Sequence, residues 1–164
     1  MEYNPYALTG KTILVTGASS GIGRAVAIEC SRLGAHVILS ARNKEKLEET
    51  LKMMEGHGHQ VIECDLSKEK EVSLLIDEVP EIQGLVNNAG TTMTVPVPFI
   101  KFNVLSDLLK VNTIAPIMIL SGLVKKKKLR ANSSVVFTSS VSGLGRVSQV
   151  ILCMQQQRVL LALL

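Results

Sequence analysis

KTILVTGASSGIG, Lys11 to Gly23, decides how the rest of the chain is read. Its first half is apolar and β-branched, the pattern of a buried strand. The strand runs into Gly17, Gly21 and Gly23, and IGRAVAIECSRLG then carries apolar residues at helical spacing as far as Gly34. A strand that turns through glycines into a helix gathers main-chain N–H groups and the positive end of the helix dipole at one point. Such a point suits a pyrophosphate. Gly17 permits the tight turn, Gly21 lets the backbone approach the ligand, and Gly23 lets the helix lie close on the strand. Ser19, Ser20 and Ile22 are then the loop residues beside the phosphates. The alternative, a plain strand-to-helix turn, has no need of three spaced glycines.

Working outward, strand HVILS is followed by helix NKEKLEETLKMMEG, strand QVIEC, helix SKEKEVSLLIDEV and the strand and turn GLVNNAG. A loop with Pro96 and Pro98 leads to a long helix from about Val104 to Lys128, and SVVFTSS gives a fifth strand. Near-continuous apolar strands alternating with amphipathic helices mean a parallel sheet covered on both faces. Right-handed crossovers make it doubly wound. The expected fold class is α/β, a Rossmann fold incomplete at its C-terminal end. One domain is expected over residues 1–148, with residues 149–164 a tail that does not continue the pattern.

The chain has 164 residues, 46% of them apolar and only 3% aromatic with no tryptophan, so aliphatic packing must build the core. Its net charge of +4 is partly local, in Lys125 to Lys128 with Arg130. That cluster lacks the spread and the interleaved aromatics of a nucleic-acid surface. It reads as a solvated helix end, with an anionic partner as the alternative. Cys30, Cys64 and Cys153 are too far apart for a metal site and read as reduced thiols, so no metal is expected. MEYNPYALTG shows no secretion signal, and the apolar run IAPIMILSGLV is too short for a membrane span and contains Pro116. The expectation is a cytoplasmic protein that binds neither membrane nor nucleic acid.

The motifs together resemble the short-chain dehydrogenases/reductases. Their glycine pattern TGxxxGxG is complete in Thr16 to Gly23. CDLS after the third strand, NNAG after the fourth, VN in the long helix and SS ending the fifth follow in the family's order. The resemblance implies a nicotinamide cofactor held by the glycine loop, with Asp65 and Leu66 on the adenine side and Asn88, Ala89 and Gly90 lining it. Alone, Asp65 reads equally well as a helix cap, and Asn87 as a tie between neighbouring strands. At the end of the second strand an acid would hold a ribose 2′-hydroxyl and a base a 2′-phosphate. Ala41 and Arg42 stand there without an acid, so NADP(H) is favoured over NAD(H); a solvent arginine is the alternative.

For chemistry the family uses an asparagine, a serine, a tyrosine and a lysine. Asn112 matches the asparagine, which supports a water linking the lysine to solvent. Ser140 matches the serine that holds the substrate oxygen, with Ser139 as its substitute. The tyrosine exchanges a proton with that oxygen, its pKa lowered by the lysine, while the cofactor carries the hydride. The implied substrate is a carbonyl or alcohol, a 3-oxoacyl thioester being a common one, and the family assembles as dimers or tetramers through the long helix and the helix that bears the tyrosine and lysine. A protein that binds NADP without catalysis is the different-class alternative.

The YxxxK pair is missing. Tyr3 and Tyr6, the only tyrosines, precede the first strand, and Cys153, Met154 and Gln157 occupy the region where tyrosine and lysine belong. As written the chain should be inactive, its fifth strand an edge with an uncovered face, and its homo-oligomer in doubt. The tail has a reading in the genetic code. If one base is missing shortly before Gln149, each intended codon joins the last base of one codon to the first two of the next. The Cys153–Met154 junction then encodes only Tyr or His, Met154–Gln155 must encode Ala, the next two junctions Ala or Thr, and Gln157–Arg158 allows Lys. The recovered GNSMYAATKGAISA holds YxxxK at the family's distance from Ser140. Sequencing the gene from the Ser140 codon to beyond Leu164 is expected to show that one restored base opens this frame. A gene that keeps the given frame, with CAT across that junction or without AAG across Gln157–Arg158, would rule it out.

Overall fold

The strand that opens the glycine turn, β1 (Thr12–Thr16), sits at the centre of a five-stranded parallel sheet in a computed structural model that describes residues 4–92 and 97–139. On one side it pairs with β2 (His36–Ala41), which pairs with β3 (Gln60–Glu63). On the other it pairs with β4 (Ile82–Asn87), which pairs with β5 (Leu129–Phe137). Helices α1 (Gly21–Arg32), α2 (Lys44–Lys52) and α3 (Glu69–Glu78) link the first four strands, and α4 (Phe102–Leu109) and α5 (Ala115–Lys125) lead to β5. The chain winds outward from β1, returns to its other side and winds outward again. This is the doubly wound order, and it leaves a crevice beyond the carboxyl ends of β1 and β4.

Period-two alternation divides the core. Leu14, Ile38 and Leu85 point to one face and pack on Leu75 and Ile76 of α3 and on Ile119 and Leu123 of α5. Ile13, Val15, Val37 and Leu39 point to the other and pack on Ala27 of α1 and Leu47 of α2. Both faces of β1 and β2 are therefore covered, which is why these strands read as unbroken apolar runs.

Three features differ from the sequence pattern. α2 stops at Lys52 instead of running on to Gly56, because Gly56 (φ 88°) and Gly58 (φ 81°) take left-handed conformations. The long helix spans Phe102–Lys125, and Lys110–Ile114 within it is a π-turn in which Ala115 N–H donates to the Lys110 carbonyl. Pro116 explains the widening. It has no N–H for the Asn112 carbonyl, and its ring would strike that carbonyl in α geometry. By length and composition this continuous helix could cross a membrane, which the shorter run IAPIMILSGLV did not reveal. Here Leu108, Ala115, Ile119 and Leu123 build one side of it into the core.

The third difference lies at the end of the lysine cluster: Lys125, Lys126, Lys127 and Arg130 are exposed, as a solvated helix end requires, while Lys128 is half-buried. Lys128 Nζ donates to the carbonyls of Ile76, Asp77 and Val79 at 2.9, 2.6 and 2.6 Å, closing the C-terminal end of α3. Lys126 pairs with Asp77, and Arg130 Nε donates to Glu81 at 2.7 Å. Lys127 (φ 55°) turns the chain out of α5. β5 starts opposite Ile82 at Leu129 and rejoins at Gly84 only with Ser134, the extra residues bulging around left-handed Asn132. Among the described residues β5 is the sheet edge, and Val136 on it is 50% exposed. Removing the carbonyl cap with Lys128→Met is expected to lower stability by about 2 kcal/mol, read from the urea midpoint at unchanged slope.

Candidate functional site

At the carboxyl ends of β1 and β4, one hydroxyl joins the two strands. Thr16 Oγ1 accepts from the N–H groups of Asn88 and Ala89, both at 3.1 Å, and donates to the Val86 carbonyl at 3.4 Å. Gly17 (φ 70°) follows, so close that a Cβ there would stand 2.7 Å from Ala89 Cα. A Cβ on Gly23 would stand 2.2 Å from the Gly17 carbonyl oxygen, which lets α1 lie directly against the end of β1. Gly21 (φ 55°) is different: a Cβ there would meet nothing within 4 Å. Its missing side chain leaves open space for a ligand. Ser20 caps α1 without a side-chain hydrogen bond, and the first turn holds no acidic residue, so these helix N–H groups have no local anion. This arrangement fits a pyrophosphate.

The crevice is a cleft of about 450 Å³. Gly17, Ser19, Ser20 and Ile22 form one wall, and Asn88, Ala89 and Gly90 line it from the β4 side. Arg42 and Leu66 line it from the ends of β2 and β3. Ile22 is 63% exposed, a large apolar side chain on the rim. Of the residues expected on the cofactor, Gly21, Gly23 and Asp65 do not line the cleft. The two glycines act through the backbone.

Asp65 is engaged locally: its Oδ1 accepts from Ser67 N–H at 3.0 Å and Ser67 Oγ at 2.8 Å. It therefore caps the turn before α3, whose own N-cap is Lys68. Burial pushes its carboxyl up, but the Ser67 bonds and the charges of Lys68 and Arg42 outweigh this and hold it below the usual carboxylate range.

Sequence reasoning missed Asn43, Lys46, Cys64, Thr91 and Val111, which with Ala41 complete the lining. Asn43 and Lys46 carried a signal: Asn43 is the N-cap of α2, and its Oδ1 accepts from Lys46 N–H at 2.8 Å. That places Lys46 in the first turn, on the same side as Arg42. Burial, helped by Glu71 and Asp65, pushes the Cys64 thiol up to about 12, so it is neutral at physiological pH. Arg42, Lys46 and Cys64 are the only titratable groups among the described lining residues. The two charged side chains on the cleft wall, Arg42 and Lys46, are therefore both cations.

Asn112 is buried within the π-turn, and its amide clamps one residue: Oδ1 accepts from Thr91 N–H and Nδ2 donates to the Thr91 carbonyl, both at 2.8 Å. It thereby fixes the chain just after Gly90. Asn87 is buried, and among the described residues neither of its side-chain polar atoms has a hydrogen-bond partner. The sequence position pointed to Asn87 as the tie between strands; among the described residues the side chain that makes it is that of Thr16. Ser139 is exposed. Ser140 and the whole tail, with Cys153, Met154 and Gln157, lie outside the described residues.

Comparison with known proteins agrees with this geometry. The family model for short chain dehydrogenase matches residues 11–152. A 3-ketodihydrosphingosine reductase of Mus musculus is 35% identical over 85% of this chain and 45% of its own. A 3-oxoacyl acyl-carrier-protein reductase, FabG, of Rickettsia felis is 34% identical over 84% of this chain and 56% of its own. Among solved structures, a metagenomic short-chain oxidoreductase in complex with NADP superposes with a TM-score of 0.77 at 29% identity, covering 92% of this chain and 71% of that one. The chain belongs to the short-chain dehydrogenase/reductase family of oxidoreductases. It spans about half the length of the curated relatives it matches.

The glycines give separable outcomes. Gly23→Ala must push Gly17 away and is expected to cost about 3 kcal/mol. Gly21→Ala meets only left-handed strain of about 1 kcal/mol, yet places a methyl where the ligand approaches. Denaturant unfolding should rank the two in that order, while nucleotide titration should find both weakened.

Proposed function

We propose that this chain is the cofactor-binding part of an NADPH-dependent reductase of ketones, its substrate a 3-oxoacyl thioester or a similar carbonyl compound. The observation that carries the cofactor choice is the pair of cations at the α2 end of the cleft, Arg42 with Lys46, where β2 ends without a carboxylate. The substrate class is supported by the printed activities of the two relatives, each a reductase named for a keto or oxo compound.

When bound, the nicotinamide supplies the hydride. The glycine loop holds the pyrophosphate, Leu66 packs beside the adenine, and Asn112 holds the Thr91 segment in place. Pro116 leaves the Asn112 carbonyl without its usual helical donor, and in this proposal that oxygen holds a water. Ser140 would hold the substrate oxygen. With no YxxxK in the sequence as it stands, the proton to that oxygen has no donor, and the chain binds cofactor without turnover. The shifted reading frame from about Gln149 supplies the missing pair in this proposal. Exposed Phe102, Ile114, Ile117 and Met118 give the long helix an apolar outer side, which supports assembly through it as a homodimer or tetramer. The proposed setting is the cytoplasm, with neither nucleic acid nor membrane as partner.

The chain is expected to bind NADPH at least about tenfold more tightly than NADH, measured by quenching or enhancement of the reduced nicotinamide's fluorescence. Arg42→Ala should remove most of that difference by weakening NADPH alone. Equal binding of both nucleotides by the unaltered chain would overturn the preference. Turnover of a ketone by the chain as it stands would overturn its inactivity.

A further inference from the structure

The glycine loop is usually credited to its glycines, but two of its peptide units are aimed by residues outside it. Thr50, in the last turn of α2, is fully buried. Its hydroxyl lies 3.0 Å from the carbonyl oxygens of Ala18 and Lys46 and accepts from Arg24 Nε at 3.0 Å. Arg24 Nη2 donates to the Ser19 carbonyl at 2.6 Å and pairs with Glu49 at 3.3 Å. The carbonyls of Ala18 and Ser19 are thus both drawn back into the protein.

A trans peptide is planar, so its N–H points opposite its carbonyl. Holding Ala18 C=O back turns Ser19 N–H the other way, and holding Ser19 C=O back does the same for Ser20 N–H. Both serines line the cleft. The preceding N–H groups, of Gly17 and Ala18, are spent on the Ser40 carbonyl at 2.7 and 3.3 Å. Among the described residues neither Ser19 N–H nor Ser20 N–H has a protein acceptor. A loop peptide flipped about its axis would present a carbonyl oxygen to the ligand instead, repelling an anion where the present geometry attracts one.

We propose that Thr50 and Arg24 are positioning residues that aim the Ser19 and Ser20 N–H groups at the cofactor's pyrophosphate. The proposal rests on the dinucleotide reading of the cleft and adds a cause for its anion preference that lies in α1 and α2.

The test titrates two probes by calorimetry into the full chain: ADP-ribose, which carries a pyrophosphate, and adenosine 2′-monophosphate, which does not. Thr50→Val keeps the shape and removes the hydroxyl, and is expected to weaken ADP-ribose about tenfold while adenosine 2′-monophosphate binds as before. Thr50→Ser should restore ADP-ribose binding. Arg24→Met, at a partly exposed site that can be changed without opening the core, should behave as Thr50→Val does and decides the matter if Thr50→Val fails to fold. Unchanged ADP-ribose binding in Arg24→Met, or equal losses for both probes, would overturn the proposal. An unaltered chain that takes neither probe would instead overturn the dinucleotide reading itself.

Discussion

The structure depends on how closely α1 approaches β1. No side chain larger than hydrogen fits at Gly23, because the Gly17 carbonyl oxygen occupies the place of its Cβ. That approach sets the N-terminus of α1 over the end of the central strand, and the same strand end carries Thr16, which holds the NNAG segment. The glycine-loop wall and the β4 wall of the cleft are therefore referenced to one short piece of chain. A strand order that reverses at β1 makes this the place where a ligand can enter between crossovers without displacing a helix.

The energetic logic is a division between apolar and polar work. Leu14, Val15, Ile38 and Leu39 supply the burial that holds the sheet between its two helical layers. Directionality comes from a few hydroxyls and amides at the carboxyl edge: Thr16 between strands, Thr50 between the loop and α2, and Asn112 between the long helix and Thr91. Each is buried and bonds main-chain groups, so each fixes backbone geometry where a purely apolar contact would leave it free to slide.

The alternation of strands and helices and the glycine loop were legible because their signals are local: runs of β-branched residues, and glycines at fixed offsets from a strand end. Arg42 was legible by its place after β2. Lys46 was hidden because its role comes from the helix cap that orients it. Lys128 could not be read at all, since its three partners lie about fifty residues earlier in the chain, and nothing in KKKK marks one lysine for them. Asn87 was misjudged for a related reason. Its place suggested a strand tie, but Thr16 across the β1–β4 junction already satisfies the adjacent N–H groups. The π-turn was half legible: Pro116 announced a disturbance, while its form depends on what the helix must bury.

That burial requirement has a geometric meaning. Leu108, Asn112, Pro116, Ile119 and Leu123 all face inward, at steps of four, four, three and four residues. An unbroken α-helix would carry the last of them about 60° out of line with the first. The wide turn at Lys110–Ile114 absorbs that surplus as one looped-out residue. The long helix is thus two helices in a common phase with a spare residue between them. Its length is negotiable by one at that point and nowhere else, since an insertion or deletion beyond it would swing half of the inward face to the outside.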